Sequence, residues 1–581
     1  MVEKPVKSAA EAVAPAIRLT DEQEAIVRSG LASGTTAGPE RRVVKAFAGT
    51  GKTSTSRAYA LARPKSRMLY MAYNRSIRDA AHTSFPRNVD CKTAHQLAYA
   101  AFGAGYARAD KLSNRFGVGQ IIAGATDIAT RIFGRRPTHP ELSATVDIIN
   151  GFCCSRDPAV SAEHLPDTAR RLLHAHHASV GHVVGFAERC WERMRDPADK
   201  RLPMTHDGYL KLYQLSAPAL NYDEIIFDEA QDANPVIAEI VRSQSCGLLA
   251  LGDPHQQIYQ FRGAENFLDE FSDAEQFALT ESFRFGPELA RMASAFLAAH
   301  KLEMQSLGSR QAPTQIRGDA SIIHSSPWCD PSNQNMKAFM SGLAATESQE
   351  AVLARGTFQS LLMGIHFQRS RALRNKRLHY IGGLDGYRLD MALDIWNLTA
   401  APHKVKNPLM RDLISMKAGE RLAAIHEFFG ADAETLAGAL KHLEDFPRLV
   451  DALRGRVTER RMDADIIIST VHRAKGLEFP SVRLMAGIEG DTDSLPAEEE
   501  INVCYVGMTR ARNTLHVSPA LHAFHAKPDE AVRNTLEARP WKKPARPHRR
   551  AEISMEKKPK PGHSLAWQSP PWQRAKLTAT P

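Results

Sequence analysis

The chain has 581 residues, 43% of them hydrophobic, so it calls for several packed units, because single cores stop growing at about 250–300 residues. No run of about 18 apolar residues occurs, which excludes a membrane-spanning helix, and the seven cysteines form no CxxC pair, which argues against a zinc ribbon or a disulfide framework. The net charge of +10 is uneven: residues 540–581 hold ten Lys/Arg against two Glu, so the rest is nearly neutral and its charge does not mark it as a nucleic-acid binder. Residues 1–15 lack the apolar segment of a secretory signal, and the cysteines read as reduced cytosolic thiols.

Short apolar runs ending in polar residues recur at 43–47, 68–73, 225–227, 248–251, 466–468 and 482–485. Buried parallel strands read this way, with functional residues at their C-terminal ends. The runs fall into two sets, roughly 43–251 and 466–517, which predicts two α/β sheets. Residues 108–205, rich in Ala, Arg and His, and residues 386–457 read as inserted helical segments. The eight prolines and the charge surplus of 540–581 read as disorder. No tandem repeat is present.

The first chemistry-bearing motif is Ala46-Phe-Ala-Gly-Thr-Gly-Lys-Thr53, between a predicted strand and a helix-compatible run. Gly49 and Gly51 let backbone N–H groups turn toward phosphate oxygens, Lys52 reaches the β/γ-phosphates and Thr53 holds Mg²⁺. A chance glycine loop is the bland alternative; the flanking elements weigh against it. The second motif, Phe227-Asp-Glu-Ala-Gln231, closes another apolar run. Asp228 suits Mg²⁺ through water and Glu229 suits abstraction of a proton from the attacking water. Elsewhere such a pair is a solvated helix start; the strand-end position reverses that reading. Four histidines (174, 176, 177, 182) near Cys153 and Cys154 match no strong zinc spacing and read as a solvated helix face.

With these motifs in place, the chain resembles superfamily 1 helicases of the UvrD/Rep/PcrA type, and in particular the helicase part of the F-box DNA helicases. The resemblance runs from about Leu19 to Val517 and includes phrases such as Lys92-Thr-Ala-His95 and Met204-Thr-His-Asp-Gly-Tyr-Leu-Lys-Leu212. It implies an α/β fold of two RecA-like P-loop NTPase domains with inserted helical subdomains. Domain 1A would take residues 1–107 and 206–285, helical insertion 1B 108–205, domain 2A 286–385 and 458–530, a small helical insertion 2B 386–457, and a basic Pro-rich tail 531–581.

The resemblance also implies roles. Gln23, in Leu19-Thr-Asp-Glu-Gln23, would bond adenine, and Ala48, Gly49, Thr50, Gly51, Lys52, Thr53 and Ser54 would hold the phosphates. Gln256 would sense the γ-phosphate, with Tyr259, Phe261 and Arg262 of the same motif facing DNA; most relatives have Trp where this chain has Phe261, which implies weaker stacking. Phe283 would lie against adenine, Gly476 and Glu478 near the nucleotide, and Arg284 and Arg510 would be arginine fingers, both assigned to the second sheet. Tyr73, Asn74, Thr93, His95, Thr470 and His472 would complete the DNA track. For an isolated aromatic at a strand end, such as Tyr73, burial in the core is the usual alternative.

The implied activity is an ATP- and Mg²⁺-dependent DNA helicase moving 3′ to 5′ on single strands and at single/double-strand junctions, in repair, recombination or replication. Its place would be the nucleus of a eukaryote or the nucleoid-associated cytoplasm of a bacterium. Two other classes stay open: a translocase that strips recombinase filaments or other proteins with little unwinding, and a nucleotide-gated DNA-binding protein. RNA is a weaker substrate candidate. The tail pairs Lys542-Lys543, Arg549-Arg550 and Lys557-Lys558 with Trp541, Trp567 and Trp572, which fits either a solubilising end or a docking peptide for nucleic acid or protein.

Overall fold

In the computed structural model the described residues are 18–31, 40–114, 116–260, 263–271, 273–319, 334–407, 410–411, 413–443, 445–485 and 498–538. Four of the apolar runs become strands β1 (Arg41–Ala46), β2 (Met68–Met71), β4 (Glu224–Phe227) and β5 (Gly247–Gly252). With β3 (Val89–Lys92) and β6 (Glu275–Leu279) they form a sheet in the order β3-β2-β4-β5-β1-β6, every pairing parallel. β2 and β5 are buried at every position, as parallel strands covered on both faces must be. Period-two alternation sends Val43 to one core and Val44 and Ala46 to the other. One strand, β5, separates the strand of the glycine loop from the strand of the acidic pair, and all three end on the same side.

A second parallel sheet contains β7 (Gln315–Arg317), β8 (Glu350–Ala354), β9 (Leu378–Tyr380), β10 (Ile466–Thr470), β11 (Phe479–Leu484) and β12 (Ala511–His516), in the order β7-β12-β11-β8-β10-β9. Parallel neighbours need long crossovers, and two of these have grown into helical bodies. Between β3 and β4 lie helices that include His139–Cys154, Val180–Arg195 and His206–Leu215, interrupted by a pair of two-residue strands. This body shares a core with one face of the first sheet. Between β9 and β10 lie helices Leu389–Ala400, Ala418–Phe429, Ala431–Leu440 and Phe446–Arg454, packed on one face of the second sheet.

The remaining face of the second sheet packs on helix Pro287–Lys301, and Phe47, Ala48 and Ile258 from the first sheet's loops join that same core. The described residues up to Leu536 are one compact unit. Residues 540–581, and with them the docking reading of the tail, lie outside the described residues.

One expectation is corrected. Arg284 is not part of the second sheet: it follows the two-residue strand Glu281–Ser282, immediately beyond β6 of the first sheet and before helix Pro287–Lys301. The connection between the sheets carries it, because the chain must leave the edge strand beside the glycine loop to reach the second sheet.

Candidate active site

Beyond β1 the chain turns through Gly49 and Gly51, both left-handed with φ of 77° and 81°, a region glycine enters without steric cost. Gly51 is the N-cap of helix Lys52–Leu61 and no side chain caps that end, so its first N–H groups face outward as an anion site does. The glycines also permit a close approach. A Cβ at position 49 would meet Ser282 Oγ at 2.6 Å and Arg284 Cβ at 2.7 Å, and one at 51 would meet Gln23 Nε2 at 2.9 Å. Phe283 lies 3.5 Å from that second position, its N–H donates to Gly49 O at 2.8 Å, and its ring is exposed. Gln23 completes a capping box with Thr20 and donates from Nε2 to Thr50 O at 3.3 Å, so it both starts its helix and braces the loop. Ala48 and Thr50 are buried, while Thr53 and Ser54, in the first helical turn, reach the surface.

The acidic pair lies opposite. Glu229 adopts φ of 54°, unusual for a residue with a side chain, and this turn brings its carboxylate to 3.5 Å from Lys52 Nζ. Gln231 Nε2 donates to Glu229 Oε2 at 2.6 Å. Asp228 accepts from Tyr70 Oη at 2.5 Å and from the Glu229 N–H at 2.9 Å. Burial, then the Glu229 charge, pushes the Asp228 carboxyl above its ordinary range. Burial works against ionised Glu229 too, but Lys52 and Lys475 outweigh it and hold this carboxyl low. Burial also opposes the Lys52 charge; Glu229, Asp228 and Asp253 overcome it and keep the ammonium protonated.

Three further cations converge from other segments. Arg284 donates from Nε to Glu478 at 2.7 Å and from Nη1 to Thr509 O at 3.1 Å. Arg510, buried, donates from Nη2 to Gln256 Oε1 at 3.3 Å, and Gln256 Nε2 donates to Asp253 at 2.5 Å. Burial, then Arg284, lowers the Arg510 guanidinium to about 9. Lys475 pairs with Asp232 and donates to Gln256 O, joining the second sheet to the acidic strand's loop. Tyr505 adds a direct tie, accepting the Ala48 N–H at 3.1 Å. Gly476 is left-handed, with φ of 80°.

Along the strand ends runs a second cluster. Asn74 and Thr93 follow strands, Thr470 ends one, and each caps the next helix, accepting from Ile77 N–H, Gln96 N–H and Arg473 N–H; helix capping accounts for these three side chains by itself. Tyr73 is exposed rather than a core residue, and its ring stacks on Tyr259 at 5.9 Å and 13°. Tyr259 Oη donates to His472 O at 3.1 Å, and Lys475 Nζ lies 5.2 Å from the Tyr259 ring centre. His95 is set apart from them, bonded to Asp207 at 3.1 Å and edge-on to Tyr209. Phe261 and Arg262 lie outside the described residues.

Residues 211–275 match the UvrD/REP helicase N-terminal domain and residues 390–522 the UvrD-like helicase C-terminal domain. F-box DNA helicase 1 of Gallus gallus is 31% identical over 552 residues, covering 87% of this chain and 49% of that protein. The chain belongs to the UvrD-like helicases. F-box DNA helicase protein 1 of Schizosaccharomyces pombe is 28% identical over 551 residues, 87% of this chain and 58% of that one. ATP-dependent DNA helicase UvrD2 of Mycobacterium tuberculosis is 24% identical over 339 residues, 52% of this chain and 48% of that one. The chain thus spans about half the length of the relatives it matches.

The two parallel sheets are the RecA-like P-loop folds of this helicase family. The matched segments include Asp228, Glu229, Gln256, Thr470 and Arg510, whereas the glycine loop lies outside both. Asp232 stands one residue past the acidic motif Phe227–Gln231, and neither it nor Asp253, Lys475 or Tyr505 is marked by the sequence as a site residue. An acid three residues past Glu229 gives no sign of its partner, Lys475, until the second sheet is in place.

Proposed function

We propose that this UvrD-like chain is an ATP-driven DNA helicase that moves 3′ to 5′ on single strands, closing and reopening the cleft between its sheets with each hydrolysis. One observation carries the reading: Lys52, Arg284 and Arg510, from three distant segments, gather around the two left-handed glycines although their charges repel one another. A polyanion relieves that repulsion, and a triphosphate in the glycine loop is the anion whose geometry the helix N-terminus favours. The domain division at 107/108, 205/206, 285/286, 385/386 and 457/458 is proposed with it.

Lys52 and Glu229 form an ion pair that a triphosphate must share. As Lys52 turns to the phosphates, Glu229 loses the partner that holds its proton affinity low, and its carboxylate becomes a better base for the attacking water. Gln231 and the left-handed turn at 229 keep that carboxylate aimed into the cleft. Thr53 and Asp228 would hold Mg²⁺, which supplies charge neutralisation at the phosphates; the raised Asp228 carboxyl, crowded by Glu229, suits a cation. Arg284 and Arg510 then stabilise the charge on the transferred group. Arg284 donates to Thr509 O and Arg510 to Leu477 O, both carbonyls just before strands of the second sheet, so hydrolysis requires closure. Tyr259 and Tyr73 offer stacking faces to bases, and the helix ends at Asn74, Thr93 and Thr470 offer N–H groups to the strand's phosphates.

The test is ATP hydrolysis with single-stranded DNA, duplex and RNA, followed by unwinding of oppositely tailed duplexes. Stimulation by single-stranded DNA and opening of the 3′-tailed substrate are expected. Hydrolysis indifferent to DNA, or opening of the 5′-tailed substrate alone, contradicts the reading. The small size of the second helical body, built of short helices between β9 and β10, favours one variant, a translocase that displaces bound protein with little duplex opening.

A further inference from the structure

The segment 470–475 sends successive side chains to different parts of the molecule. Thr470 caps the short helix Val471–Ala474, the His472 carbonyl holds the Tyr259 hydroxyl, and Lys475 pairs with Asp232 of the first sheet's loop. Arg473 points elsewhere. Its Nη2 donates to Gly386 O at 2.5 Å and its guanidinium lies 4.6 Å from the centre of the Tyr387 ring. Gly386 belongs to the connection that leaves β9 and enters helix Leu389–Ala400, the first of the second helical body.

That connection is built around the guanidinium. A Cβ at Gly382 would meet Arg473 Nη1 at 2.6 Å, and one at Gly386 would meet it at 2.8 Å. Gly382, Gly383 and Arg388 all have positive φ, of 82°, 78° and 56°. Tyr387 anchors the turn to the second sheet: it is buried, and its hydroxyl reaches Ile381 O at 3.1 Å and Ile468 O of β10 at 3.4 Å. Arg473 is therefore a fixed bracket between a segment that touches both the acidic loop and Tyr259 and the root of the second helical body. A planar guanidinium suits this task, since it can stack on an aromatic face and donate in-plane at once.

We propose that Arg473 is a positioning residue that transmits movement of segment 470–475 to the second helical body, setting that body's orientation according to nucleotide and DNA occupancy. The inference rests on the proposed ATP and DNA reading, and it assigns Arg473 no contact with either ligand.

Hydrogen–deuterium exchange of the full chain, with and without a non-hydrolysable ATP analogue and single-stranded DNA, tests it. In the wild type, ligands should protect the amides of 46–53 and change exchange at 381–388. Arg473→Ala should keep the protection at 46–53 while the change at 381–388 falls at least twofold. Gly386→Ala, which crowds the guanidinium without removing it, should do the same, and Arg473→Lys, lacking the planar fork, should not restore the response. Duplex opening should fall in these variants more than DNA-stimulated ATP turnover does. A full ligand response at 381–388 in both Arg473→Ala and Gly386→Ala overturns the proposal. Absence of protection at 46–53 in the wild type defeats the nucleotide reading beneath it, which separates the two failures.

Discussion

Asp232 shows how much rests on one side chain. Burial, against the pull of Lys475, raises this carboxyl to about 6. Its ionised form carries the ion pair to the second sheet, so ATP turnover should decline as the pH falls through about 6, where the proton removes that tie. Stability should move the other way. A carboxyl whose folded pKa lies above its unfolded value binds its proton more tightly when folded, and its contribution to stability rises as the pH drops from 6 toward 4. Asp232→Asn should weaken both dependences, leaving the share of Asp228, which is raised to about 6 as well, and lower turnover at pH 7.5; pH–rate profiles and thermal unfolding of the two proteins compare them directly. Glu229→Gln should bind ATP and arrest before hydrolysis, seen as retained radiolabelled ATP; rapid product formation by this variant contradicts its assignment as base. Tyr259→Ala should weaken single-strand affinity by about 1–3 kcal/mol without regard to sequence, while Tyr259→Phe, losing only the bond to His472 O, should retain most of it in the same titration.

Elements place these residues, and Gly49 is the sharpest case. Gly49→Ala demands a left-handed alanine, costing roughly 1–2 kcal/mol, and sets its methyl against Ser282 and Arg284. Nucleotide affinity should collapse with only a modest fall in melting temperature; wild-type affinity would show that the cradle tolerates a Cβ. The glycine loop, the acidic strand and both adjoining strand runs were legible because chemistry and hydrophobic pattern coincide there. The middle of the second sheet was not. β8 is Glu-Ala-Val-Leu-Ala, two of its five residues alanine, and β7 and β9 have three residues each, too short to impose a period. Arg284 has partners beside the strands of the second sheet, Glu478 and Thr509, while its backbone continues from the first, and no sequence pattern shows that division. At Asn74, Thr93 and Thr470 the sequence suggests ligand contacts and does not reveal the caps. A polar residue after a strand and before a helix serves the helix first, and any contact with a nucleic acid is additional.

At the scale of the molecule, the cleft is held shut by a few buried polar ties and one shared apolar core. Tyr505 to Ala48, Lys475 to Asp232 and Arg510 to Gln256 cross between the sheets, and Phe47 and Ala48 pack among residues of the second sheet's core. Of these only Lys475–Asp232 is an ion pair, and losing one partner of a buried ion pair costs about 3–5 kcal/mol where an uncompensated charge remains. The central step of the proposed mechanism is closure that delivers Arg510 to the triphosphate. Its most direct test is steady-state ATP hydrolysis by Arg510→Ala at saturating single-stranded DNA, with nucleotide affinity measured on the same protein. Turnover should fall by roughly 10³-fold or more while ATP still binds; turnover within a few-fold of the wild type would contradict the mechanism.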